Sequence, residues 1–377
     1  MVRVAMHLAA EMRSYQRAAV VLQRVLGHGL SAKSIERLVD QVGVELGQPR
    51  ASQSDFPPPP KEVVVPEMAV VSCDGGRIHT REAGQGPGVH GAKWRETKNA
   101  SFERMTAAEA AADPCPALPD TFRQVAHVAK IAEKAPFRAA DPPEKRPAYR
   151  GPKRILRTCL SSLVSSVEFG SQMSREARRR CFHVAAQRVF IGDGLPWNWS
   201  IWREHFPTFT PILDFIHAVQ YLYAAAQAWE PDDPRRWARY LAWAEAVWQG
   251  RTADVIAQLR AESALRGVAP EDDLPDDDPR EPLVTAARYL HNNLARMDYP
   301  RYRREGLPIT SSPMESLIKQ VNQRVKGTEM FWNNPSGAEA ILQLRSASLC
   351  DDVRLDDYLR SRRGSSTTRR LIPEMAA

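Results

Sequence analysis

Two short apolar runs, each closed by an aspartate among glycines, constrain this chain more than any other feature. Met68-Ala69-Val70-Val71-Ser72-Cys73 runs into Asp74-Gly75-Gly76, and Arg188-Val189-Phe190-Ile191 runs into Gly192-Asp193-Gly194. Apolar stretches of this length, bounded by turn residues, read as buried strands. A third run, Pro211-Ile212-Leu213, passes through Asp214-Phe215-Ile216-His217 into a helical pattern. Between and after these runs the periodicity is helical. The chain must therefore build a mixed α/β core, with an acidic residue at the end of each strand.

The remaining elements fit that frame. Val63, Val64 and Val65 open a β-rich stretch, Asp74-Gly75-Gly76 reads as a hairpin turn, and Arg77 to Glu82 reads as a returning strand. A third strand over Trp94 to Phe102 would complete a meander. A helix is expected near Thr121–Ala135 and another over 171–186. A tryptophan-bearing helix (Trp197, Trp199, Trp202) follows, and residues 218–300 are mostly helical, broken by the acidic loop Glu271–Pro282. Ser312-Pro313-Met314-Glu315 opens a last strong helix to about Val325. The residues from Ser361 onward are polar and expected to fray.

Ahead of the core, residues 8–46 read as two helices. Ala18, Val21, Leu22 and Val25 share one face of the first, which stops at Gly27-His28-Gly29. Ser31 caps the second, with Ile35, Leu38, Val39 and Val42 on one face and Lys33, Ser34, Arg37 and Gln41 on the other. This is the pattern of a helix-turn-helix, and equally of an amphipathic hairpin packed on the rest of the protein. Four consecutive prolines, Pro57 to Pro60, then allow neither helix nor central strand and mark an extended linker.

Composition narrows the class. Of 377 residues 43% are hydrophobic and 26% charged, which places the chain among globular proteins. Lys and Arg number 52 against 45 Asp and Glu, an excess of +7 that favours an anionic partner. The five cysteines are scattered without a CxxC pair, arguing against a disulfide framework and for a reducing cytosol. No apolar run approaches the ~18–20 residues a bilayer span needs, so no membrane partner is expected.

The chemistry is carried by Asp74, Asp193 and Glu315, at two strand ends and a helix start. Three converging carboxylates without a basic partner repel one another and need a cation. Hard oxygen ligands suit Mg²⁺ or Mn²⁺, and two such ions about 3.5–4 Å apart clamp the attacking and leaving oxygens of a phosphodiester. Each residue also has a local explanation. Asp74 fits a turn, Asp193 fits a loop, and Glu315 fits a capping box with Ser312, Pro313 being the first helical residue.

Four blocks together resemble the Mutator-like DDE transposases of bacterial insertion sequences, most closely the ISKra type. They are Cys73-Asp74-Gly75-Gly76-Arg77 with Ala92-Lys93-Trp94-Arg95-Glu96-Thr97-Lys98; Ile191-Gly192-Asp193-Gly194 with Trp197 and Trp199; Asp214-Phe215-Ile216-His217; and Pro308-Ile309 through Met314-Glu315-Ser316, followed by Lys319-Gln320-Val321-Asn322, Arg324-Val325-Lys326-Gly327 and Met330-Phe331-Trp332. Ser311-Ser312-Pro313 departs from the pattern, since a glycine more often precedes the glutamate block.

The resemblance, over about 65–350, implies an α/β RNase H-like mixed sheet with an all-helical insertion and an N-terminal helix-turn-helix. Its parts would be a DNA-binding region 1–50, a linker 51–62, core residues 63–228, the insertion 229–307, the glutamate helix 308–350 and a tail 351–377. It implies cleavage of double-stranded DNA at terminal inverted repeats and transfer into target DNA by Asp74, Asp193 and Glu315 holding Mg²⁺ or Mn²⁺. His217 and Asp214 are accessory to the site. Lys33, Arg37, Arg154, Arg157, Lys319, Arg324 and Lys326 are candidates for DNA phosphates. A homodimer or larger synaptic assembly in the bacterial cytoplasm, at the nucleoid, is expected. The alternatives are an RNase H-like nuclease without strand transfer and a non-catalytic DNA-binding protein derived from a transposase.

Overall fold

A computed structural model describes residues 1–51, 64–81, 93–106, 109–327 and 330–362. The expected proline linker and the residues after 362 lie outside this set. Five strands form one mixed sheet: β1 (Met68–Thr80), β2 (Lys93–Met105), β3 (Arg154–Ser162), β4 (Gln187–Gly192) and β5 (Thr210–Leu213). Their spatial order is β3-β2-β1-β4-β5. β2 runs antiparallel to β1 and β3, while β4 and β5 run parallel to β1.

Three expectations fail here. Asp74-Gly75-Gly76 is no hairpin turn. β1 runs straight through it, pairing Asp74 with Asn99, Gly75 with Lys98 and Gly76 with Thr97. A Cβ on Gly76 would come within 2.6 Å of Thr97 Oγ1, so the glycine answers a close cross-strand approach and not a reversal of the chain. The third strand of the meander is therefore β3, inside the basic cluster around Arg154 and Arg157. Charges on the exposed start of β3 hid a strand whose second half, Arg157 to Ser162, is buried. The valines are also displaced: Val64 and Val65 are exposed outside the sheet.

Helices cover both faces. One core gathers Phe102, Leu160, Phe190 and Ile212 of the sheet with α4 (Val125–Ile131), α5 (Ser166–Arg179), α6 (Pro196–His205) and α7 (Phe215–Trp229). The helical block α8 (Asp233–Trp248), α9 (Thr252–Leu265), α10 (Glu281–Asn293) and α11 (Tyr299–Arg304) is continuous with this core through Trp237, Trp248, Leu290 and Tyr299. A 3-10 turn at Asp120–Phe122 and the short α4 replace the longer helix expected near 121–135.

The second core belongs to both ends of the chain. It joins α1 (Val2–Glu11), α2 (Tyr15–Leu26) and α3 (Ala32–Ala51) to α12 (Ser312–Val325), α13 (Pro335–Ser348) and α14 (Arg354–Ser361), with Ile78 and Cys159 from the sheet. Ser31 caps α3 by accepting from Ser34 N at 3.1 Å, and Ile35, Leu38, Val39 and Val42 are buried, as the periodicity requires. Val25 is 66% exposed and leaves the expected stripe. The N-terminal helices thus pack on the rest of the protein, α3 chiefly against α13. Residues 351–362 are no loose tail: α14 is held where Tyr358 and Arg362 both bond Glu45. Among the described residues no helix is long and apolar enough to cross a membrane.

One buried ion pair ties the helical block to the loop after β2. Arg303 is fully buried, grips Asp113 through Nε (2.8 Å) and Nη2, donates to Trp248 O at 3.0 Å and lies over the Trp248 ring. Removing one partner strands a buried charge. Asp113→Ala should lower stability by about 3–5 kcal/mol in urea unfolding; a loss under about 1 kcal/mol would show that the pair is solvated.

Candidate functional site

Backbone register assembles the site. The β1–β4 ladder ends at Ser72 beside Ile191, and the β4–β5 ladder ends at Gly192 beside Leu213. Two residues beyond the first and one beyond the second stand Asp74, Asp193 and Asp214, in one row just past the parallel ladders; β4 and β5 end there, while β1 runs on to Thr80 against β2. Side chains level across parallel strands share a face. Asp214 N donates to Gly192 O at 2.9 Å, which extends the ladder to this row.

Each aspartate is fastened differently. Asp74 accepts from Gly75 N at 2.5 Å. Asp193 accepts from Leu195 N at 2.8 Å and from Asn198 Nδ2. The fully buried Asn198 turns its Oδ1 toward Cys73, whose thiol donates at 3.6 Å. Tyr289 from α10 donates to the Asp193 carbonyl at 2.6 Å. Gly194 follows at φ +98°, and a Cβ there would lie 2.5 Å from the Tyr289 ring, so this position excludes side chains on both counts. Asp214 is fully buried, caps α7 by accepting from Ile216 N at 2.9 Å, and accepts from Ser311 Oγ, the residue that begins α12.

His217 completes the group, one turn into α7, with Nε2 3.9 Å from Asp214 Oδ2. Gln220 Nε2 donates to the Ile131 carbonyl at 2.8 Å, so Gln220 Oε1 faces the imidazole and Nδ1–H must donate to it at 2.9 Å. Nε2 is thereby directed at the carboxylates.

The electrostatics follow from burial and like charge. Burial first, and the Asp193 charge second, push the Asp74 carboxyl up to about 7, against the pull of His217 and the Gly75 N–H. Burial also raises Asp193 and Asp214. For His217 burial acts downward, but Asp214, Asp193 and Asp74 together outweigh it and raise the imidazole. A cleft of about 530 Å³ opens beside the row, between α7 and α10, lined by Asp193, His217, Tyr221, Arg288 and Tyr289 among others.

Glu315 is not drawn into the row. Its carboxylate is met by Lys319 at 3.5 Å and is 37% exposed. The capping box expected for it does not form either. The N-cap is Ser311, so Ser312 is the first helical residue, Pro313 the second, and Glu315 lies one residue too deep to reach back. Among the described residues no group of three or more His, Cys, Asp or Glu is arranged to hold a metal ion. A hard divalent cation suits Asp74 and Asp193 as a pair: both offer oxygen donors, and a cation would offset the burial and the Asp193 charge that raise Asp74.

The other site residues divide by exposure. Lys33, Arg37, Arg154, Lys319 and Lys326 are exposed. Arg157 and Arg324 are buried, which corrects their expected place on an open phosphate-binding surface. Arg157 is spent on Gln320 Oε1 and Leu349 O, and Arg324 Nε on Ala9 O. Trp199 and Trp202 are packed in the core with their indole N–H groups bonded to Asn293 and the Phe209 carbonyl. Sequence reading missed Asn198, Gln220 and Tyr289; an isolated Asn between two tryptophans after Gly-Asp-Gly was the only signal. No protein-family model matches the chain, and no curated protein matches it.

Asp74 makes stability depend on pH with a definite sign. An unfolded aspartate loses its proton near 3.8, while the folded one keeps it to about 7. The folded state therefore binds more protons in that window, and stability falls as pH rises through it. Without divalent ions, Asp74→Asn should be more stable than the parent at pH 8 by on the order of a few kcal/mol, and the gap should close below pH 4. Thermal melting of both proteins across pH 4–8 measures this.

Proposed function

We propose that the chain is a DNA transposase with an RNase H-like catalytic core, which hydrolyses a phosphodiester at an element end and joins the freed 3′-hydroxyl to target DNA. The observation that carries this is the aspartate row just past the β1–β4 and β4–β5 parallel ladders, in a sheet of order β3-β2-β1-β4-β5. Strand order and acidic placement support the RNase H-like reading, as do the sequence blocks. A divalent cation held by Asp74 and Asp193 would supply Lewis-acid activation of the phosphodiester oxygens.

The chain's own residues do the rest. Asn198 and Leu195 N–H aim Asp193. Gln220 orients His217 so that Nε2 faces the carboxylates and the adjoining cleft, where a charged imidazole would attract a phosphate oxygen. Ser311 bonds Asp214 and so fixes the start of α12 to the row; Glu315, one turn further, is the third carboxylate in this reading. The exposed Lys319, Lys326 and Arg154, with Lys33 and Arg37 on the open face of α3, would bind the DNA backbone, α2 and α3 serving as the helix-turn-helix.

Asp74→Ala, Asp193→Ala and Glu315→Ala should each lower Mg²⁺-dependent cleavage of end-bearing DNA by on the order of 10³-fold while DNA binding persists. Full cleavage by any of them would remove that residue from the assignment. Precleaved ends offered with a target plasmid test joining separately. At pH 8, Mg²⁺ should raise the melting temperature of the parent and leave Asp74→Asn unchanged.

A further inference from the structure

A second cleft, of about 750 Å³, lies on another part of the molecule, between α2–α3 and the carboxyl end of α12. Its size is that of a small-molecule site. Its lining includes Arg324, Tyr15, Trp332, Phe331, Lys326 and Asp40. Arg324 is 1% exposed, and neither Nη has a hydrogen-bond partner among the described residues. The Tyr15 hydroxyl lies against the guanidinium and makes no further hydrogen bond among the described residues. The Tyr15 and Trp332 rings flank the guanidinium at 4.9 and 5.5 Å. Buried guanidinium groups are almost always paired, because an unpaired one is costly. This one borders a cavity and is charged at any accessible pH.

The walls supply the rest of a recognition set. Trp332 is fixed by backbone bonds to His79 (2.9 Å) and Arg81 (2.8 Å) and by its indole N–H on Val325 O. Phe331, 39% exposed, offers an aromatic face backed by Arg81. Lys326 adds a second cation at the rim. Of the two carboxylates in the lining, Glu36 is neutralised by Lys33 at 2.8 Å. Asp40, exposed at the rim, is the acceptor left to meet an N–H donor of a ligand.

We propose that this cleft binds a nucleoside phosphate: the phosphate on Arg324 and Lys326, the base against Phe331, and its N–H edge on Asp40. The same chemistry comes from a free nucleotide or from the terminal nucleotide of a DNA strand. The inference goes beyond the catalytic reading, since the cleft is not the aspartate row and its occupancy is read without turnover.

The full chain is titrated with dGMP, with inorganic phosphate and with a 5′-phosphorylated oligonucleotide ending in dG, following tryptophan fluorescence and melting temperature. Binding of dGMP, the oligonucleotide or both is expected, and which of them binds identifies the source. Lys326→Ala and Phe331→Ala, both at exposed positions, should weaken that binding at least tenfold, and Asp40→Asn should weaken dGMP without weakening phosphate. Arg324→Met should abolish binding; it also removes the buried bond to the Ala9 carbonyl, so its ligand-free melting temperature should fall, and binding is compared at a temperature where both proteins are folded. The proposal is overturned if neither nucleotide probe binds, if inorganic phosphate binds as tightly as both, or if the exposed variants bind as the parent does. Asp74→Ala should bind as the parent, whatever becomes of cleavage.

Discussion

The parallel ladder of β1, β4 and β5 forces three aspartates to share one edge of the sheet. Backbone hydrogen bonds fix the register, and the register places Asp74, Asp193 and Asp214 level with one another. Their burial is then an electrostatic load that the surrounding residues distribute. Asp214 is neutralised locally by a helix N-terminus, a serine and His217. Asp193 is satisfied by a backbone N–H and Asn198. Asp74 has the least support, one short bond from Gly75 N, and its carboxyl is pushed up to about 7.

That unevenness gives the site its chemical character. A pair of carboxylates of which one is held near neutral pH can release a proton on meeting a cation, coupling metal binding to pH. His217 stands on the other side of the balance, its charge favoured by all three aspartates. The cleft between α7 and α10 then opens onto charged groups of both signs.

The helices at the two ends of the chain form the other half of the architecture. α1 to α3 share a core with α12 to α14, and Arg324 and Arg345 reach across it to the carbonyls of Ala9 and Ala10. Since α12 also begins at the aspartate row through Ser311, the N-terminal helices and the candidate site are joined by one rigid element. Whatever the exposed face of α3 meets is mechanically connected to the strand ends.

Local pattern was enough to find the apolar strands at Met68 and Arg188, the capped α3, the start of α7 and the acid after β4, because strand burial, capping and helical periodicity are short-range properties. It failed where a distant contact decides. Asp74-Gly75-Gly76 has turn chemistry, yet pairing with β2 keeps it extended; β3 is hidden by its own arginines; the Ser312 capping box is displaced by one residue, with Ser311 bonded to Asp214. The sequence alone settled that acids follow the apolar strand segments and that helices accompany the sheet. Only the tertiary structure decided which acids meet: register levels Asp214 with Asp74 and Asp193, while Glu315 lies outside the row beside Lys319. It also decided which arginines face water and which lie buried, since exposure depends on what packs opposite, and no residue carries that information about itself.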